Sequence, residues 1–396
     1  MNTNNTKIRL HLLAIPHTIT RDEFSNCAFT GKVQRFSPMM QSVGYEVYHY
    51  GIETSKSGAD VDIDILNLKE WNKLRKSSLK HLKPELSYED IEKKLGDPTQ
   101  FVGDLANLST PLYKEFNIRL REQLSKHYRS ISTDIVCITF GPAHEDALKG
   151  KDYLCVESGI GYPNAYKNFR IYESYAKMHY EMHRCGKTLE NYWFVCPNYY
   201  NTLEWPLNLN PVPNRVGFLG RISNTKGCNI ISEIAKSFPQ VEFVICGQGD
   251  PKPFLKYPNV IYKSPIHGSD RGKYLSSLSA VITPSKYLEP FCGVNVEAQL
   301  CGTPVICHDY GAFTETVEQF KTGVRCHTMS DFRYAVQMVL DGKFDRQYIH
   351  DRAVHLYDMY NVAKQYKYIF DSIIDVYNGS GGWYSFNTHL DLLENE

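Results

Sequence analysis

Apolar and polar positions along this chain fall into short buried-strand runs separated by amphipathic helical stretches, and the series occurs twice. In the first half, residues 8–15, 45–50, 134–140, 153–156 and 192–196 read as strands, and 28–42, 114–129 and 172–184 as helices. A long polar loop, 16–27, follows the first strand. Residues 52–112 are charged and irregular, and read as an insertion with short helices near 68–79 and 88–95. A Pro/Asn-rich passage, 197–213, reads as a hinge. The second half restarts the alternation, with strands at 215–219, 241–246, 260–262, 280–283 and 305–307. Its helices fall at 226–236, 272–278, 294–300 and 331–340. Apolar-periodic helices from 345 to about 377 precede a polar tail. Strands and helices alternating at this spacing predict an α/β chain with a doubly wound parallel sheet in each half. The expected boundaries are 1–205, 206–360, and a C-terminal helix, 361–396, crossing back to the N-terminal domain.

Composition narrows the function classes. A chain of 396 residues is expected to form two domains. Formal charge is zero and nearly balanced in each half, so no broad basic field argues for a nucleic-acid scaffold. The 11 cysteines are scattered with no C-x-x-C pair, which fits reduced thiols better than a disulfide framework or a zinc cage. No run has the length of a membrane span or the flanks of a signal segment, so a cytoplasmic location is expected.

The densest chemistry lies at Glu289–Glu297, where two carboxylates stand eight positions apart around a Pro/Gly loop and a helix start. Such a segment offers free helix N–H groups to a phosphate and carboxylates to sugar hydroxyls. A second signal is Gly220-Arg221 and Lys226-Gly227, which follow a strand and place two cations just before a helix, suited to a diphosphate. Gly247-Gln248-Gly249 ends the next strand and allows close backbone approach at the ligand-binding edge of a parallel sheet. No third glycine completes a dinucleotide fingerprint, which counts against a dehydrogenase.

In order, the chain reads GRISNTKG, GQG, PS and EPFCGVNVEAQLCGTPV. This series resembles the C-terminal half of the retaining GT-B glycosyltransferases of the family 4 type (glycosyl transferases group 1), with one departure at Cys292, read as an insertion into E-x-F-G. The first half, through IPHTITRDEFSNCAFTGKVQRF, GYEVYHYGIE, VESGIGYPNAYKNFRIYES and CPNYYN, resembles a bacterial and viral subgroup of that family. The resemblance implies two Rossmann-like domains facing a cleft. It also implies transfer of a sugar from a nucleoside-diphosphate sugar to an acceptor hydroxyl with retention, with neither metal nor cofactor. Arg221 and Lys226 would neutralise the diphosphate. Glu289 would bind donor-sugar hydroxyls with help from the backbone of Phe291, Cys292, Gly293 and Val294. Glu297 would take the ribose, and Gly220, Gly247 and Gly249 would line the nucleotide site. His144, after a strand, would sit over the donor sugar or serve the core. His17, Thr18, Gly31, Lys32 and Glu157 fall on the acceptor side, with a turn-capping carboxylate as the second reading of Glu157. The acceptor would be a saccharide or glycolipid. Hydroxymethylated bases of viral DNA are a competing acceptor class, resting on a local basic cluster of Lys73, Arg75, Lys76, Lys80 and Lys83. A nucleotide-sugar epimerase and an inactive sugar-nucleotide-binding relic compete with the transferase reading itself. No motif fixes the oligomeric state.

Two attractive patterns point elsewhere and are set aside. Asp60-Val61-Asp62-Ile63-Asp64 contains D-x-D, but its alternation fits a surface strand. His179 and His183 stand four apart on a helix, yet Tyr180 occupies the place where a zinc-protease motif needs Glu. Trp193, Phe194, Tyr199 and Tyr200 read as core and hinge aromatics.

Overall fold

The computed structural model describes residues 7–24, 27–100, 102–187 and 192–377. The polar ends of the chain, 1–6 and 378–396, lie outside the described residues. The chain divides into two units, each built on a parallel sheet. The first comprises residues 1–172, 185–196 and 362–396; the second comprises 173–184 and 197–361.

In the first unit the strands are β1 (Arg9–Leu13), β2 (Glu46–Ile52), β3 (Val61–Leu66), β4 (Asp134–Ile138), β5 (Cys155–Ile160), β6 (Phe169–Tyr172) and β7 (Trp193–Val195). They lie in the order β3-β2-β1-β4-β5-β6-β7, all pairs parallel. The chain order reverses between β1 and β4, and the loops after those two strands leave the same sheet edge. Helices α1 (Ala28–Gln41), α2 (Leu68–Leu82), α3 (Tyr88–Leu95), α4 (Pro111–His127) and the short α5 (Glu145–Leu148) accompany it. The region that reads as an irregular insertion is partly sheet, because Val61–Leu66 pairs with β2 as the edge strand. Polar residues alternate on its open face while Ile65 and Leu66 enter the core, which explains how the D-x-D run is accommodated. The expected helix over 172–184 also divides: Phe169–Tyr172 is a strand, and the helix α6 runs Tyr175–Arg184 in the second unit. Capping boxes at Asn67/Glu70 and Ser87/Asp90 set the starts of α2 and α3 by satisfying amides that a helix leaves unpaired.

The second unit has β8 (Arg215–Leu219), β9 (Glu242–Cys246), β10 (Val260–Lys263), β11 (Ala280–Thr283), β12 (Val305–His308) and β13 (Gly323–Cys326), ordered β10-β9-β8-β11-β12-β13. Its remaining helices are α7 (Cys228–Ala235), α8 (Ser269–Ser276), α9 (Gly293–Leu300), α10 (Phe313–Thr316), α11 (Met329–Leu340) and α12 (Arg346–Tyr357). Side chains of the central strands alternate between two cores. Val216, Phe218, Phe243 and Ile245 pack on one face; Leu219, Val244 and Cys246 pack on the opposite one. Burial on both faces is why these strands read as continuous apolar runs. The four-residue β13 starts with glycine and is not legible as a strand in the sequence; a side chain at Gly323 would lie 2.0 Å from the Val305 carbonyl oxygen.

The last helix, α13 (Met359–Tyr377), passes from the second unit into the first. From Val362 onward its apolar face joins the first unit's core. Tyr366 and Phe370 pack on Phe36 at ring separations of 5.7 and 6.4 Å, and Asp371 accepts a 2.7 Å hydrogen bond from Tyr45.

Candidate functional site

Three loops leave the C-terminal edge of the second sheet at its reversal point, after β8, β9 and β11. Glycines let them touch. Gly247 has φ +147, and a side chain there would sit 1.8 Å from the Gly220 oxygen. Gly227 caps α7 with φ +80, and a side chain would sit 2.0 Å from the Pro284 oxygen. The Gly220, Gly247 and Gly249 backbones therefore form one surface, tied by Gly220 N–H to Cys246 O (3.0 Å) and Ile222 N–H to Gln248 O (2.8 Å).

Close loop packing brings Lys226 to Glu289. The ammonium donates to Glu289 Oε1 at 2.7 Å and to the Tyr287 hydroxyl at 2.7 Å. Glu289 is 5% exposed and also accepts from Ser285 Oγ (2.6 Å, on Oε1) and Tyr287 (2.7 Å, on Oε2). Burial acts against the Lys226 ammonium, but attraction to Glu289 outweighs it and holds the group above the ordinary lysine range. Tyr287 is pushed up to about 12 by burial and by the neighbouring carboxylate. In the sequence Ser285 is visible only as part of a strand-end Pro-Ser, and Tyr287 carries no motif; its spacing two before Glu289 is the one local signal that points to it. Arg221 is exposed and makes no side-chain hydrogen bond or ion pair among the described residues.

The Glu289 loop ends at α9. Cys292 caps this helix in the left-handed region, φ +66 and ψ 72. The spacing between the two carboxylates is unchanged, so Cys292 is not an insertion: it replaces the glycine of E-x-F-G, at a position whose backbone favours glycine. The Gly293 and Val294 amides open the helix without backbone acceptors among the described residues, as a helix start leaves them. Phe291 is buried against Tyr357, ring centroids 5.8 Å apart, which anchors the loop. Ser174, just ahead of α6, donates to the Pro290 carbonyl at 2.6 Å, and Glu315 accepts from the Tyr175 and Ala176 amides at 2.9 and 2.8 Å. Glu297 forms an ion pair with Arg271 of α8, a partner with no local trace in the sequence.

The first unit treats its predicted residues differently. His17 and Thr18 line a small cavity with Cys27, Arg75, Thr99 and Gln100. His17 Nδ1 pairs with the Tyr113 hydroxyl at 2.7 Å, and burial lowers its pKa to about 4. Thr18 and Thr30 share a 2.6 Å hydroxyl contact. Gly31 and Lys32 lie on the buried side of α1; Lys32 donates to the Gly159 carbonyl at 2.9 Å, and burial lowers its pKa to about 7. His144 is fully buried, donates from Nε2 to the Ala14 carbonyl (2.9 Å), and is lowered to about 4 by burial. A ring held this way ties the loop after β4 to β1 and presents no surface to a ligand. Glu157 is likewise fully buried, accepting from the amides of Tyr166 and Lys167 (both 2.6 Å) and from the Tyr162 hydroxyl (3.0 Å), with burial raising its pKa. It organises the 162–167 turn, as a turn-capping carboxylate does.

The set-aside patterns and the basic cluster have internal partners. Asp60 accepts from the Val47 amide, and Asp62 accepts from Ser57 and lies 2.7 Å from His49 Nδ1. On α6, Lys177 and Glu181 form the buried pair while His179 is exposed. Arg75 is buried over Trp71 at 4.3 Å, Lys76 pairs with Glu92, Lys80 donates to the Pro84 and Leu86 carbonyls, and Lys83 pairs with Asp104. Of the five cations, Lys73 alone is exposed with no side-chain hydrogen bond or ion pair among the described residues.

Two doubly wound parallel-sheet units with a glycine-lined loop edge define a GT-B architecture, and solved structures agree. AviGT4, a glycosyltransferase involved in avilamycin A biosynthesis, superposes with a TM-score of 0.62 at 16% identity, over 94% of this chain and 98% of that one. Anabaena Alr3699/HepE, solved with UDP and glucose, gives 0.60 at 14% identity, over 92% and 100%. At these identities the likeness concerns the fold. Residues 201–353 match the model for glycosyl transferases group 1, and the chain thus carries a domain of that family. Among curated relatives, a glycosyltransferase of Methanocaldococcus jannaschii is 27% identical over 168 residues, 37% of this chain and 42% of its own length. A D-inositol 3-phosphate glycosyltransferase of Mycobacterium sp. is 29% identical over 150 residues, 34% of each chain. The match thus spans less than half the length of these relatives. No described helix is long and apolar enough to cross a membrane.

Proposed function

We propose that this chain is a glycosyltransferase that moves a sugar from a nucleoside-diphosphate sugar to an acceptor hydroxyl, with retention and without a metal. The observation that carries the reading is the Lys226–Glu289 pair held at the sheet's reversal point beside the open N-terminus of α9. A cation and free amides suit a diphosphate, and a buried carboxylate suits sugar hydroxyls. HepE, of the same fold, has been solved with UDP and glucose, which supports the donor class.

In this reading Arg221 and Lys226 stabilise charge building on the departing diphosphate, with the amides of Phe291 to Val294. Glu289 binds the donor sugar, Glu297 the ribose with Arg271 orienting it, and Gly220, Gly247 and Gly249 line the nucleotide. His17 and Thr18 serve the acceptor side; Gly31, Lys32 and Glu157 shape its loops from behind. His144 is given no donor contact. A saccharide or glycolipid acceptor is favoured over a modified DNA base, because the basic cluster is engaged internally. Retention is assigned to a same-face displacement assisted by the leaving phosphate, since no second carboxylate accompanies Glu289 as an acid/base partner among its hydrogen-bonding neighbours.

The test is nucleoside diphosphate release from a panel of UDP-, GDP- and ADP-sugars, beside Lys226→Ala and Glu289→Ala. Release from one donor, lost in both variants, is expected. Absence of both release and thermal stabilisation with every panel member would refute the reading. A product of inverted anomeric configuration by NMR would refute the same-face route.

A further inference from the structure

Lys226 and Glu289 satisfy one another directly, and this constrains which ligands can enter the site. The Lys226 ammonium has two acceptors, Glu289 and Tyr287, both at 2.7 Å. Glu289 has three donors: Lys226, Ser285 and Tyr287. The carboxylate is nearly inaccessible to water, whereas about a fifth of the Lys226 side chain is exposed. The two ends of the pair therefore lose different amounts when it opens. Lys226 can turn toward a phosphate and remain solvated. Glu289, left behind, keeps only two hydroxyl donors, and water cannot reach it to replace the third.

We propose that Lys226, Tyr287 and Glu289 form a latch that an intact sugar nucleotide opens and a bare nucleoside diphosphate does not. This rests on the glycosyltransferase reading above. A diphosphate alone draws Lys226 away and gives Glu289 nothing in return. An intact donor brings a diphosphate for Lys226 and, on the same molecule, sugar hydroxyls that donate to Glu289. The site therefore favours substrate over product, and the latch recloses as the sugar leaves, expelling the nucleotide. Tyr287 is the positioning residue: its hydroxyl accepts from the ammonium and donates to the carboxylate, so it sets how strongly Glu289 depends on Lys226.

The expected signs separate this from ordinary loss of a contact. Wild-type protein should bind an intact donor at least about tenfold more tightly than its nucleoside diphosphate. Glu289→Gln is isosteric and uncharged, so it frees Lys226: diphosphate affinity should rise about three- to tenfold while donor affinity falls, and the preference should vanish. Tyr287→Phe removes one Glu289 donor and makes the carboxylate hold Lys226 harder, so diphosphate affinity should fall by a similar factor. A merely structural disturbance would weaken both ligands in both variants.

Isothermal calorimetry with UDP/UDP-glucose, GDP/GDP-mannose and ADP/ADP-glucose decides it. Opposite shifts of diphosphate affinity in the two variants support the latch. A diphosphate affinity that is unchanged or lower in Glu289→Gln overturns it, as does equal wild-type affinity for donor and diphosphate, while leaving the glycosyltransferase reading intact. No binding by any nucleotide to wild-type protein overturns both.

Discussion

Removing the positive charge from Lys226 without removing its stem isolates the electrostatic part of the site. Lys226→Met keeps a side chain of similar length beside Tyr287, whose ring centroid the ammonium now approaches to 4.7 Å, but strands Glu289 in a position 5% exposed. Breaking one side of a fully buried pair costs about 3–5 kcal/mol. Here Ser285 and Tyr287 keep two hydrogen bonds to the carboxylate, and Lys226 is partly solvated, so about 2–3 kcal/mol is expected. For a unit of this size that corresponds to a fall of about 5–10 °C in its unfolding transition. The double variant Lys226→Met/Glu289→Gln replaces the pair by neutral groups of similar volume and should recover most of the loss. Calorimetry on wild type, both single variants and the double variant gives the coupling directly. Glu289→Gln alone should cost less than Lys226→Met, because the lysine is the more exposed partner. The reasoning fails if Lys226→Met unfolds within about 0.5 kcal/mol of wild type, or if the double variant is no more stable than Lys226→Met.

Two more outcomes are expected. His17 and His144 have native pKa values lowered by burial to about 4, so the unfolded chain binds more protons than the native one once pH drops below the ordinary histidine value of 6.5. Stability of the first unit should thus be full above about pH 6.5 and fall progressively toward pH 4; in His144→Gln, which keeps a donor for the Ala14 carbonyl, part of that acid limb should flatten, as read by unfolding transitions across the range. Cys292→Gly should relieve left-handed strain of about 1–2 kcal/mol, offset by about 0.4–1 kcal/mol of added chain freedom. A net gain of up to about 1.5 kcal/mol is expected in the second unit's unfolding transition, and a clear loss would show that the Cys292 side chain has a packing role that outweighs its backbone.

The readable parts of the site are those carried by loop backbone. The glycines after β9 stand out because a side chain on Gly247 or Gly249 would lie 1.8 or 2.7 Å from the Gly220 or Ile222 carbonyl oxygen. The helix starting after Cys292 shows through its Pro/Gly loop. Side-chain partners are far less legible. Glu297 reads as a ligand-facing carboxylate, but whether it stands alone or meets Arg271 depends on packing of α8 against α9, 26 positions apart in sequence. His144 follows β4, and Glu157, one position beyond the strand read over 153–156, lies inside β5; both side chains are turned inward, because a place near a strand end does not fix which way a side chain points.

What the sequence alone determined is the alternation of buried strands and helices, the duplication into two parallel-sheet units, and the glycine turns at their ligand-binding edges. These follow from short-range rules of periodicity, capping and steric allowance. Tertiary structure alone decided that Val61–Leu66 and Gly323–Cys326 complete their sheets, since a short edge strand is defined by its neighbour more than by its own residues. It also decided that Lys226 and Glu289, 63 positions apart, close on one another through Tyr287. Contacts of that separation are fixed by the folded path of the backbone and by which charges are left without water, and no local pattern encodes either.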